Sequence, residues 1–174
     1  DRAQFVHPFL QENGNLLFHS SSPLISINSC SDLVMLNDSD RFHHSIEEDS
    51  DGNIWIATYK FPYSLPSKYV GDNFENFYDD TLVKISPEGR VLYEKPITEI
   101  FIENGLEYLL FSVGNSEFNM DPIHINDIQP VLEDSNYWKA GDLFLSIRNQ
   151  SMIILYRPST NEIIWRDQGK FLYQ

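Results

Sequence analysis

Asp121-Pro-Ile-His-Ile-Asn-Asp-Ile (121–128), a polar loop to Gly141, then Asp142-Leu-Phe-Leu-Ser-Ile-Arg-Asn-Gln-Ser (142–151), decide the fold. Met152-Ile-Ile-Leu-Tyr, Arg157-Pro-Ser-Thr-Asn-Glu and Ile163-Ile-Trp complete the stretch. Short apolar runs alternate with turn residues at Gly141-Asp142, at 148–151 and at 158–161. Runs of this length, broken by Gly, Pro and Asn, predict a small antiparallel meander. His124, Asn126 and Arg148 fall at strand edges within it, where a site can be built.

Two earlier stretches repeat the same order of parts. The first runs Phe5-Val-His-Pro-Phe-Leu, Asn13-Gly14, Leu16-Leu-Phe-His-Ser, Pro23-Leu-Ile-Ser-Ile and Leu33-Val-Met-Leu. Asn-Gly between two apolar runs is a strong hairpin signal. The second runs Phe42-His-His-Ser-Ile, Asp49-Ser-Asp-Gly-Asn, Ile54-Trp-Ile-Ala-Thr-Tyr, Thr81-Leu-Val-Lys-Ile, Pro87-Glu-Gly-Arg and Val91-Leu-Tyr. Each unit has a His near a strand start, a turn with Gly, and further strands. Four-stranded units recurring at about forty residues are the signature of β-propeller blades. An all-β chain follows, with blades at 1–40, 41–96 and 120–168 and residues 171–174 opening a fourth. Insertions fall at 61–79 and 97–119, and Thr98 to Phe111 in the latter has the spacing of a short helix. Three blades alone expose a face and sheet edges. Self-association, a partner chain or a longer parent is therefore expected to complete the ring.

Charged residues are 22% and aromatics 14% of 174 residues, the composition of a globular chain leaning toward sheet. No apolar run approaches the roughly 18 residues that cross a bilayer, so no membrane span is expected. The net charge of −14 repels phosphate backbones and excludes nucleic acid as a partner. Cys30 is the single cysteine and forms no internal disulfide; a structural role is expected for it over a nucleophilic one. The chain opens at Asp1 without Met, as a processed or excised piece would.

Asp49-Ser-Asp-Gly-Asn invites a calcium reading, but the EF-hand frame puts Glu47 and Thr58 where the loop wants Asp and Glu, so a hairpin turn is expected. His43, His44 and His124 lack the pattern of a zinc site, and neither metal nor cofactor is expected. Adjacent residues on a strand face opposite ways, so at most one of His43 and His44 joins a given site. Arg148 ends a strand, where a fixed guanidinium can grip a tetrahedral oxyanion; the competing reading is an ion pair with one of the many carboxylates. Asn37-Asp-Ser and Asn149-Gln-Ser are glycosylation sequons if the source is secretory.

Phe42-His-His-Ser-Ile with Asp51-Gly-Asn-Ile, then Asp121-Pro-Ile-His-Ile-Asn-Asp-Ile, then Leu145-Ser-Ile-Arg-Asn-Gln-Ser with Ile163-Ile-Trp and Gly169, resemble the bacterial arylsulfotransferase family. The resemblance covers about Phe42 to Gln174 and implies a six-bladed propeller. The implied activity moves a sulfuryl group from a phenolic sulfate to a phenol through a histidine intermediate, with no nucleotide donor. His44, His124, Asn126 and Arg148 match the family's sulfate-binding positions, while Ser45 stands where the family often has an acidic residue. The family's nucleophilic His lies in a Gln-His-Asp motif whose Gln matches Gln174. No catalytic residue is therefore expected within this chain, and alone it is expected to be inactive. An exported, periplasmic or extracellular setting is implied. The alternative is a non-catalytic propeller, a binding or assembly module using the acidic surface and the aromatics Tyr63, Tyr69, Phe74, Phe77 and Tyr78.

Overall fold

The computed structural model describes residues 6–69, 77–111 and 121–169. Phe74 and the expected start at 171–174 lie outside the described residues. Three four-stranded antiparallel sheets follow one another along the chain. The first holds β1 (Val6–Leu10), β2 (Leu16–His19), β3 (Leu24–Ile27) and β4 (Leu33–Asn37). The second holds β5 (Phe42–Glu48), β6 (Ile54–Lys60), β7 (Asp79–Ile85) and β8 (Val91–Pro96). The third holds β9 (Ile125–Pro130), β10 (Leu143–Ile147), β11 (Met152–Arg157) and β12 (Glu162–Gln168). Each strand pairs with the next in its sheet, the simplest consequence of short turns between apolar runs.

Strand β6 shows how the sheets are layered. Ile54 and Ile56 belong to one core with Leu17, Leu24 and Phe42; Trp55 and Ala57 belong to another with Leu82, Ile128 and Leu145. Side chains alternate across a strand, so the second sheet is covered on both faces and its central strand reads as an unbroken apolar run. The first strands lie together, β1 against β5 and β5 against β9. Their starting residues therefore share one end of the three sheets.

The turns obey the residues in them. Asp49 Oδ1 accepts the backbone N–H groups of Asp51 and Asn53 at 3.0 Å each, and Lys84 Nζ lies 2.7 Å from its other oxygen. The loop is a hairpin turn, and an ammonium occupies the carboxylate that a calcium ion would need. Gly89 has φ +87°, and a Cβ there would meet Met35 Cγ at 3.0 Å; the bare backbone lets the second sheet close on the first. Cys30 is exposed on the turn between β3 and β4, so the structural role expected for it has no core packing behind it.

The expected helix is split. α1 (Ile97–Glu103) ends where Gly105 turns with φ +69°, and a 3-10 turn, Glu107–Leu110, follows. Ile97, Ile100 and Phe101 of α1 are buried in the larger core. Asn104 then joins the helix end to the third sheet, giving its Nδ2–H to Asn161 O at 3.0 Å and accepting Ile163 N–H at 3.0 Å. Among the described residues no helix is long and apolar enough to cross a membrane. Truncating Phe101 to Ala removes a ring with 0% exposure and should lower stability by about 3–5 kcal/mol. Urea denaturation should show the loss in the midpoint without a change of slope.

Candidate functional site

The site begins with a clamp between two loops. The 3-10 turn Arg148–Gln150 ends at Ser151, whose φ of +48° closes the loop into β11. Its backbone runs beside residues 121–124. Arg148 N–H donates to His124 O and Asn149 N–H to Ile123 O, both at 3.0 Å. Asn149 Nδ2 donates to Asp121 O at 2.6 Å, and buried Gln150 Nε2 donates to Pro122 O and Leu109 O at 2.8 Å each. The side chains of Arg148 and His124 are thus carried by segments that cannot slide past one another. Asn149 spends its amide on this clamp, and Asn37 donates to Gly89 O at 3.1 Å. Both sequon nitrogens are engaged in the fold.

The histidines follow from a break in strand alternation. In β5 the register jumps between His43 and Ile46, leaving His44 and Ser45 unpaired, and His44 has φ +60°. A left-handed residue in a bulge redirects its side chain, so His43 and His44 face one cluster together. The alternation that would send His43 and His44 to opposite faces is broken by this bulge, and their rings lie 5.1 Å apart. His7, inside the bulge of β1, and His124, just before β9, have φ +50° and +55°. Non-glycine residues in this region are sparse and gather at functional sites.

Buried side chains from the preceding sheet hold the two central histidines. His19 on β2, 1% exposed, reaches His44 O with its Nε2 at 3.1 Å. Asp80 on β7, 0% exposed, accepts the backbone N–H of His124 and of Ile125 at 3.2 Å each. His43 Nε2 lies 3.2 Å from the same carboxylate, off the hydrogen-bond direction. Ser45, buried, accepts Ile128 N–H at 3.2 Å. Ser45 is therefore a tie between β5 and β9.

At the centre His44 Nε2 and His124 Nε2 lie 2.9 Å apart, and Arg148 Nη1 is 3.1 Å from His124 Nε2. Asp121 holds the other nitrogen of His124, Nδ1. The His7 and His43 rings lie 6.3 and 5.1 Å from that of His44, so all five histidines of the chain meet here. Burial first, then the positive fields of His43, His124, His7 and Arg148, bring His44 from 6.5 to about 4. Burial also lowers His19, against its bond to the His44 carbonyl. The centre is thus a neutral imidazole, a second imidazole on a carboxylate, and a guanidinium. Such a set of donors suits an anion with several oxygens.

Asn126 stands apart. It is the extra residue of a bulge in β9, opposite the Ser146–Ile147 step, and among the described residues no hydrogen bond joins it to His44, His124 or Arg148. His7, His19, Asp80 and Asp121 were missed as site residues. The recurrence of a His near each unit start was the one signal for His7, and the Asp121-x-x-His124 spacing the one for Asp121. A cavity of about 680 Å³ opens at the same end, lined by Arg41, Tyr59, Phe61, Phe77 and Tyr78 among others. Tyr59 stacks on His43 with ring centroids 4.2 Å apart, so it stands between the cavity and the histidines. Of the aromatics expected on the surface, Phe77 is buried, and Tyr63 and Tyr69 pack against the larger core; Tyr78 is exposed.

A family model described as arylsulfotransferase (ASST) matches residues 9–174, a span that also takes in the first sheet. No curated protein matches. A solved Bacteroides caccae protein of unknown function is similar over 95% of this chain and 46% of its own, at 11% identity and TM-score 0.49. A streptogramin B lyase is similar over 90% and 38%, at 10% identity and TM-score 0.47. A catalytically inactive virginiamycin B lyase from Staphylococcus aureus, solved with quinupristin, is similar over 98% and 57%, at 14% identity and TM-score 0.42. The chain thus spans less than two thirds of each of these structures, and likeness at this level says nothing about chemistry.

The depressed histidines make stability depend on pH in the acid range. Unfolding lets His44 take a proton at about 6.5, whereas the folded chain resists until about 4. The unfolded state therefore binds more protons in that window, and stability falls as pH drops through it. Urea midpoints measured between these limits should decline, and His44→Gln should flatten the decline.

Proposed function

The chain belongs to the arylsulfotransferase family, and on that footing we propose that its histidine cluster is the oxyanion-binding half of a sulfuryl-transfer site. The observation that carries this reading is the meeting of His44, His124 and Arg148 within 2.9 and 3.1 Å at one end of the sheets. In the reaction a sulfuryl group leaves a phenolic sulfate and passes to a phenol through a histidine intermediate. Negative charge spreads over the sulfuryl oxygens and the departing phenolate. Donors already aimed at that point stabilise it without reorganising. Arg148 supplies a permanent charge, His44 a neutral N–H, and His124 the second imidazole. Asn126 is the fourth donor of this reading, two residues along β9 from His124. The geometry positions the transferring group; it does not need to bond it.

The nucleophile in this reading is the histidine of the Gln-His-Asp motif matched at Gln174, so residues 1–174 are expected to bind the anion without turnover. The three sheets are blades at 1–40, 41–96 and 120–168 of a six-bladed ring, a reading supported by their common strand order and by the adjacency of β1, β5 and β9. The rest of a longer chain, a second copy or a partner chain supplies the remaining blades, and export to the periplasm or beyond is part of the same reading. A second function, a binding module without catalysis, draws on the separate aromatic cavity beside Tyr59.

Binding of inorganic sulfate and release of nitrophenolate from p-nitrophenyl sulfate test the proposal together. Residues 1–174 should bind sulfate and release no nitrophenolate. Arg148→Ala removes a charge-assisted bond worth about 1.5–3 kcal/mol and should weaken sulfate binding about 10- to 150-fold. Equal binding by the variant and the parent chain would overturn the assignment of this cluster.

A further inference from the structure

The proton arrangement at the centre of the cluster follows from its partners. Two N–H groups cannot point at each other across 2.9 Å, so the gap between His44 Nε2 and His124 Nε2 holds one proton. An ionised carboxylate only accepts and a guanidinium only donates. Asp121 therefore places a hydrogen on Nδ1 of His124, which leaves at Nε2 a single lone pair shared by Arg148 Nη1, 3.1 Å away, and His44 Nε2, 2.9 Å away. His44 must then supply the shared proton from its own Nε2. In this arrangement His124 presents a lone pair at Nε2.

A sulfate-class anion brings only acceptor oxygens. It can be held by Arg148 and by the Nε2–H of His44 once that bond turns away from His124. The lone pair of His124 would repel it. We propose that Asp121 is the positioning residue that dedicates Nε2 of His124 to the ligand, and that binding of an oxyanion here takes up one proton at that atom. The inference rests on the preceding reading that the cluster binds a sulfuryl oxyanion. The proton comes from solvent, no covalent bond changes, and the complex gains one positive charge with the anion.

Charged groups on every side favour His124 as the atom that takes it. His44 is faced by His43 of β5, His7 of β1 and Arg148, all positive or able to become so, and among the described residues by no carboxylate. His19 on β2 touches only its carbonyl. Asp80 on β7 is occupied by the backbone N–H groups of His124 and Ile125 and by the approach of His43. Among the described residues, Asp121 is the acid group that touches the His124 ring. It is the natural counter-charge for an imidazolium, and its Oδ1 is buried with no hydrogen bond.

Calorimetric titration of residues 1–174 with sodium sulfate, in buffers of different ionisation enthalpy, tests this directly. The apparent enthalpy should vary with a slope of about one proton per anion. The affinity should fall as pH rises, by up to about tenfold per pH unit. Imidazole 15N spectra of the empty protein should show His124 as the Nδ1–H tautomer. Asp121→Asn should mix its tautomers, weaken sulfate and reduce the proton uptake. Sulfate binding without buffer dependence would overturn the inference and leave the preceding reading standing; no sulfate binding at any pH would remove that reading itself. Should Asp121→Asn fail to fold, the spectrum of the parent chain decides, since a lone proton on Nε2 of His124 excludes the positioning role.

Discussion

A single buried carboxylate organises this molecule. Asp80 lies on β7 in the middle of the second sheet with no exposed surface, where an uncompensated charge would be strongly destabilising. It is compensated by the two backbone N–H groups that open β9 and by His43 beside it. The third sheet therefore starts where Asp80 allows it to start, and His124 can hold its left-handed backbone. His19 acts on the other side by reaching the His44 carbonyl from the first sheet. Ser45 adds a third tie, from the bulge to Ile128. The first and second sheets each fix a histidine of the sheet that follows by a side chain that would leave a buried polar group unpaired if removed.

The electrostatics invert the character of the whole. A chain of net charge −14 gathers its five histidines and Arg148 at one end of the sheets. The overall field works against an approaching anion, and the local donors must win over short range. His44 contributes without being charged, because burial and its positive neighbours keep it neutral. The fixed guanidinium of Arg148 and the Asp121–His124 pair carry the charge balance. Tyr59, stacked on His43, separates this polar centre from an aromatic cavity that opens beside it.

Much of the framework was legible in the sequence because it is local. Apolar runs of strand length, Asn13-Gly14, Gly141 and the Asp49 turn each act within a few residues, and three four-stranded sheets resulted. Arg148 was legible as a strand-end group because β10 alternates cleanly up to it. His43 misled because alternation assumes an unbroken ladder, and the two unpaired residues of the β5 bulge remove that assumption. Asp80 could not be found at all. It sits within an ordinary strand run, and its partners are backbone groups some forty-five residues away. The aromatic insertion was read as surface because its composition is irregular, yet Phe77 is buried, since the face of the second sheet needs a cover.

The left-handed backbone at His44 and His124 also limits how these positions can vary over generations. Of the twenty residue types, glycine takes this conformation freely, and asparagine and aspartate with little strain, while valine, isoleucine and threonine are strongly disfavoured. A drifting copy of this chain has few conformationally easy exits from histidine at these two points. Asparagine and glycine are the residues its backbone would accept, so the outline of the cluster would outlast its histidines.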